Sequence, residues 1–111
     1  LGDGLLVDLE PVKGSEQGRV RPCFGVQNDV ANQFSPNTIV VPFTTTVTDK
    51  NYPVSLVIEP EDSGLNYRST LLCAQLRTVS VAHRVRRKLG ALKPQAMARV
   101  DATLKESLGL D

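Results

Sequence analysis

A chain of 111 residues, 41% of them hydrophobic, can bury one thin core and leaves no room for two, so it reads as a single domain over residues 1–111. The net charge of +1 excludes a general polycation. Aromatic content of 5% with no tryptophan excludes a module that holds nucleic acid mainly by stacking bases on rings.

Residues 5–9 form a short apolar run that ends at Glu10-Pro11, the first predicted strand. Residues 12–18 are polar with glycine at positions 14 and 18 and read as a long hairpin loop. Residues 23–27 give a second strand, and residues 28–37, rich in turn formers and carrying Pro36, give a connection. Residues 38–46 are dense in β-branched side chains and give a third strand; Pro42 inside it predicts an edge position or a bulge. After a turn at residues 48–51, Val54, Leu56 and Ile58 alternate with Ser55, Val57 and Glu59, the two-residue period of a half-buried strand. Residues 62–64 read as a turn and residues 69–75 as a fifth strand.

The last third changes character. Residues 81–89 are a basic segment predicted as one or two helical turns. Pro94 suits the first position of a helix, and Ala96, Val100, Leu104 and Leu108 recur every four residues with Met97 beside them. Asp101 and Lys105 are spaced for an ion pair along that helix, and Gly109 suits its end. The apolar stripe could face the strands or a second copy of the chain. Together the elements predict a mainly β fold, a small, partly open antiparallel barrel with C-terminal helical cover.

The charge is unevenly spread. Residues 1–60 hold four Lys/Arg against seven Asp/Glu, whereas residues 61–111 hold nine against five, so a basic surface would come mostly from the second half. Cys23 and Cys73 each sit in apolar strings and read as buried reduced thiols. No run approaches the ~18 apolar residues of a membrane span, and the start shows no secretory leader, so a cytoplasmic protein is expected.

Few residues announce chemistry. His83 is the only histidine, which excludes a nuclease with a histidine acid and a histidine base. With Arg84, Arg86, Arg87 and Lys88 it reads first as a solvated basic face and second as a phosphate-attracting patch. Glu59, Glu61 and Asp62 lack a His or Cys at ligand spacing, so no metal site and no cofactor are expected. Residues 14–18 resemble a phosphate loop superficially but lack its Gly-Lys-Ser/Thr ending. Ser15 has no histidine near it in sequence and reads as a loop serine. Arg21 stands after a polar loop and before Pro22, and Thr44 stands in a strand of otherwise apolar character.

Several strings carry a more specific signal. Val7-Asp8-Leu9-Glu10-Pro11, Gly14-Ser15-Glu16-Gln17-Gly18 and Arg21-Pro22 resemble the opening of the MazF/PemK toxins. The similarity continues through Val26-Gln27-Asn28-Asp29, Ile39-Val40-Val41-Pro42-Phe43-Thr44 and Leu72-Cys73-Ala74-Gln75-Leu76-Arg77-Thr78-Val79. It ends with Ala98-Arg99-Val100-Asp101 and Ser107-Leu108-Gly109-Leu110, and so spans nearly the whole chain in order. The resemblance implies an SH3-like barrel with C-terminal helices, used as a homodimer. It implies sequence-specific, metal-independent cleavage of single-stranded messenger RNA and inhibition by a small antitoxin protein. The family's catalytic arginine and threonine fall on Arg21 and Thr44, and Glu16, Gln17, Gln27, Asn28 and Gln75 fall on RNA-facing positions. Leu1, Gly4 and Ala74 depart from the usual pattern. Two other readings stand beside it: a gyrase-poisoning toxin of the CcdB kind, which depends on a C-terminal tryptophan this chain lacks, and a non-catalytic SH3-like interaction module.

Overall fold

The structure, a computed structural model, describes residues 2–9, 20–45 and 54–110. The described elements run β1 (Asp3–Asp8), β2 (Val20–Gly25), α1 (Asp29–Phe34), β3 (Asn37–Thr44), β4 (Ser55–Ile58), α2 (Pro60–Ser63), β5 (Ser69–Leu72), β6 (Arg77–Ser80), α3 (Val81–Arg84), β7 (Val85–Ala91) and α4 (Pro94–Leu108). The strands form one antiparallel sheet in the order β4-β5-β3-β2-β1-β7, with β6 also on β3. β4 and β7 are its edges, so among the described residues the sheet is not closed.

Strand side chains alternate, and each face of the sheet carries a buried apolar cluster. One cluster joins Phe24, Val41, Phe43, Ile58, Leu71 and Cys73 to Ala96 and Val100 of α4. At its centre the Phe24 and Phe43 rings stack with centroids 4.7 Å apart. The second cluster joins Val7, Leu9, Cys23, Val40 and Val79, with Leu5 and Val85 packed on it. The α4 stripe therefore faces the chain's own sheet: Ala96 and Val100 are buried, Met97 and Leu104 pack beside them, and only Leu108 stays exposed. Pro94 starts this helix, and Gly109 ends it in the left-handed conformation that glycine adopts without a Cβ clash.

Several expectations are corrected. β3 is not an edge strand; it pairs β2 on one side and β5 and β6 on the other. Pro42 is tolerated because it sits where β3 changes partner, between the β6 ladder at Asn37 to Val40 and the β5 ladder at Phe43 and Thr44. The connection at residues 28–37 contains α1, held by an Asn28 side chain that accepts from the Ala31 N–H at 2.8 Å. The turn at residues 62–64 is the end of the short helix α2. Only the first turn of the basic segment is helical; from Val85 it is the edge strand β7. Among the described residues Asp101 and Lys105 make no ion pair, and Arg99 instead binds Asp62 at 3.2 Å, tying α4 to α2. Strand β6 is an addition that the sequence pattern did not suggest.

Gly4, one of the departures noted above, has a local reason. A Cβ there would lie 3.3 Å from the Gly90 nitrogen of β7 and 3.3 Å from a ring carbon of Phe24. Its small size lets β1 seat between β7 and the aromatic core. No helix of the described residues is long and apolar enough to cross a membrane.

Candidate functional site

Arg21 is the second residue of β2 and is exposed; its β1 partner is Val7. Thr44 ends β3, is half-buried, and stands opposite Thr70 of β5. The two strands pair with Cys23 opposite Pro42, Phe24 opposite Val41 and Gly25 opposite Val40. Continued two residues past Cys23 and Pro42, that register brings Arg21 across from Thr44. Alternation puts Arg21 on the face of Cys23 and Thr44 on the face of Pro42, which is the same face. A guanidinium and a hydroxyl far apart in the chain thus share one end of one sheet face.

Arg77 joins them. It stands opposite Val40 on β6, and Val40 belongs to the Cys23 cluster. Arg77 appears within the strings that carry the resemblance, yet nothing in the sequence singled it out. Its position becomes visible only through the β3–β6 register. Burial pushes the Cys23 thiol up to about 12, while the Arg77 charge works in the opposite direction. Burial alone pushes Cys73 up to about 11. Both cysteines are free and buried, so neither offers a thiolate nucleophile near neutral pH.

Gln75 lies in the turn between β5 and β6 and is half-buried; its N–H donates to the Leu72 carbonyl at 2.9 Å. Gln27 and Asn28 lie beyond the opposite end of β2 from Arg21. Gln27 Nε2 donates to Asn32 Oδ1 at 3.0 Å and to the Asn37 carbonyl at 2.9 Å, and Asn28 caps α1. These two side chains hold α1 against β3 and are not brought together with Arg21. Glu16, Gln17 and Ser15 lie outside the described residues, as does the loop at residues 12–18.

Among the described residues no group of three or more His, Cys, Asp and Glu could hold a metal ion. In the acidic segment, Glu59 binds Arg68 at 3.0 Å and Asp62 binds Arg99 at 3.2 Å. His83 is exposed on α3, with its backbone N–H donating to Ser80 Oγ. Arg21 and Thr44 carry a guanidinium fork and a hydroxyl, donor types that suit phosphodiester oxygens.

The fold is that of small bacterial toxins. The chain resembles the Mycobacterium tuberculosis toxin MazF-mt6, with a TM-score of 0.76 and 21% identity over 98% of each chain. It resembles MazF from Deinococcus radiodurans, with a TM-score of 0.78 and 21% identity over 98% of this chain and 94% of that one. It also resembles a mycobacterial endoribonuclease solved in complex with its cognate antitoxin, with a TM-score of 0.78 and 22% identity over 99% and 94% of the two chains. At these identities the likeness is one of fold. The sequence itself matches the PemK-like, MazF-like toxins of type II toxin-antitoxin systems over residues 2–108, and the chain belongs to that family.

Proposed function

We propose that this protein is a sequence-specific, metal-independent endoribonuclease, the toxin of a type II toxin-antitoxin pair, acting in the cytoplasm on single-stranded messenger RNA. What supports the reading is the common face and level that the β2–β3 register, continued past Cys23 and Pro42, gives to Arg21 and Thr44. Family membership supports the toxin class.

In the proposed reaction the ribose 2′-oxygen attacks the adjacent phosphorus. The 2′-O–P bond forms, the P–O5′ bond breaks, the 2′ proton leaves and the 5′-oxygen gains one. The products are a 2′,3′-cyclic phosphate and a 5′-OH end. The nucleophile belongs to the substrate, so the protein's task is to position the strand and stabilise charge in the transition state. The Arg21 guanidinium fork holds two phosphate oxygens and assists proton delivery to the 5′-oxygen. Thr44 donates to a phosphate oxygen or orients the 2′-OH. Gln75, Glu16 and Gln17 are proposed to read the exposed base edges, as unpaired RNA allows. For Gln27 and Asn28 the same role would require their α1 contacts to open.

We further propose a homodimer. The α4 stripe is spent on the chain's own sheet, so the apolar surface left for a second copy lies elsewhere. Val30 and Phe34 of α1, spaced one helical turn apart, are 68% and 79% exposed. The regulating partner would be a cognate antitoxin, as in the mycobacterial relative solved with one. Incubation with a long unstructured RNA in EDTA, followed by primer extension and end-group analysis, tests the reading. Discrete cuts with cyclic phosphate ends are expected. A strict metal requirement overturns the mechanism, and intact RNA leaves the family's non-catalytic alternatives.

A further inference from the structure

Among the described residues the buried polar side chains are those of Thr38, Ser63, Ser69 and Thr70. A buried hydroxyl costs free energy unless a hydrogen bond occupies it, so each asks for a use. The Thr38 hydroxyl donates to Asn32 Oδ1 at 2.8 Å, and Ser63 Oγ accepts from the Leu65 N–H at 3.1 Å. Ser69 stands opposite Ile58 of the apolar core, and its Oγ has no partner among the described residues. Thr70 is the next residue of β5, so its side chain leaves the other face of the sheet, directly opposite Thr44 of β3.

Directly opposed strand residues hold their Cβ atoms about 4.5–5.5 Å apart, and opposed threonines can join their hydroxyls. Both side chains are β-branched and stiff at χ1, so the sheet backbone sets the geometry of the pair. On the far side of Thr70, Val57 of β4 is 42% exposed, whereas Thr70 itself is 4% exposed. A strand of RNA on this face can reach the half-buried Thr44 but touches little of Thr70. Any service Thr70 gives to the reaction therefore passes through Thr44. The simpler use for Thr70 is to fill a buried strand position, which valine would do equally well.

We infer that Thr70 is a positioning residue for Thr44: when RNA is bound, its hydroxyl donates to Thr44 Oγ1 and turns the Thr44 proton toward the phosphate. A threonine hydroxyl has one proton to give and two lone pairs to accept with. With one lone pair taken by Thr70, the Thr44 proton is directed away from β5, and the accepted bond polarises it for the substrate. The inference rests on the ribonuclease reading and on the place of Thr44 in it; the pairing of the two threonines rests on the β3–β5 register.

The test is single-turnover cleavage of a long unstructured RNA by the parent, Thr70→Val and Thr70→Ser, with Thr70→Val repeated in a Thr44→Val background and circular dichroism to confirm folding. Valine keeps the branched shape and removes the hydroxyl; serine keeps the hydroxyl. Losing one neutral hydrogen bond should lower the maximal rate of Thr70→Val by about three- to tenfold, with the half-saturating concentration unchanged. Thr70→Ser should cut at close to the parental rate, and Thr70→Val should add nothing once Thr44 has lost its own hydroxyl. A Thr70→Val protein that cuts at the parental rate overturns the proposal and leaves Thr70 as filling. Equal slowing in the Thr44→Val background also overturns it, because the effect then bypasses Thr44. A higher half-saturating concentration at an unchanged maximal rate overturns it in favour of direct RNA contact. A parent that cuts no RNA refutes the nuclease reading and the proposal with it, whereas a cutting parent with an unaffected Thr70→Val refutes the role of Thr70 alone.

Discussion

Gly4 and Gly25 offer a paired test of how the sheet is packed. Neither has positive φ, so their replacement by alanine is decided by space. At Gly4 the new methyl would lie 3.3 Å from the Gly90 nitrogen, 3.4 Å from the Gly90 oxygen and 3.3 Å from the Phe24 ring. Two of those neighbours are backbone, and the third ring is buried and stacked on Phe43, so none yields freely. Overpacking of this kind costs about 1–3 kcal/mol. Alanine also stiffens the unfolded chain, which returns about 0.4–1 kcal/mol. The net loss for Gly4→Ala is then about 1–2 kcal/mol. At Gly25 the methyl would meet Asp3 O and Leu5 Cδ1 at 3.8 Å each, ordinary contact distances, so only the stabilising term remains. At about 2.1 cal/mol/K per residue, the unfolding entropy of a chain this size is near 0.23 kcal/mol/K, so 1 kcal/mol moves Tm by about 4 °C. Thermal unfolding should show Gly4→Ala lower by about 4–8 °C and Gly25→Ala higher by about 2–4 °C. Equal shifts, or a rise for Gly4→Ala, would refute the β1–β7 approach that positions the neighbouring strand β2.

Three further outcomes follow from particular groups. Ser69 Oγ is buried with no hydrogen-bond partner among the described residues, so Ser69→Ala should be neutral or stabilising by about 1 kcal/mol in urea unfolding; a loss above that size would mean the hydroxyl is bonded. Cys23 and Cys73 hold their protons more tightly when folded, with thiols raised from 9.0 to about 12 and about 11. Stability should therefore be level below about pH 9 and fall as pH rises toward 12, by up to about 1.4 kcal/mol per pH unit for each thiol; Cys23→Val should flatten the slope, and an unaltered slope contradicts its assignment. Phe34→Ser should turn a sedimenting dimer into a monomer with little change in Tm, since the ring is 79% exposed; a dimer that persists removes α1 from the interface.

The parts of the fold that were legible are those where several local signals agree. α4 has Pro94 at its start, a four-residue apolar period and Gly109 at its end, and it forms as expected. β3, β4 and β5 were visible from branched and alternating residues. β7 was not, because its ladder to β1 is made by backbone while its arginines face solvent and show no apolar period. α1 buries no residue and depends on the Asn28 cap, so amphipathicity could not reveal it. β2 begins at Val20, earlier than expected, because Arg21-Pro22 reads locally as the end of a loop. That misplaced boundary matters, since the strand's early start puts Arg21 on β2, opposite Val7 of β1. The proposed partnership of Arg21 with Thr44 depends on long-range strand pairing, which local sequence pattern does not carry, and the placement of Arg77 opposite Val40 was hidden for the same reason.

A double-mutant cycle on single-turnover RNA cleavage reaches the heart of the account. Each of Arg21→Ala and Thr44→Val should slow the reaction by about two to three orders of magnitude. If both donors grip one phosphate, the double variant should be little slower than the worse single, because the second loss falls on an already broken site. Rates that multiply cleanly, or single variants as fast as the parent, would mean the guanidinium and the hydroxyl do not act on the same linkage.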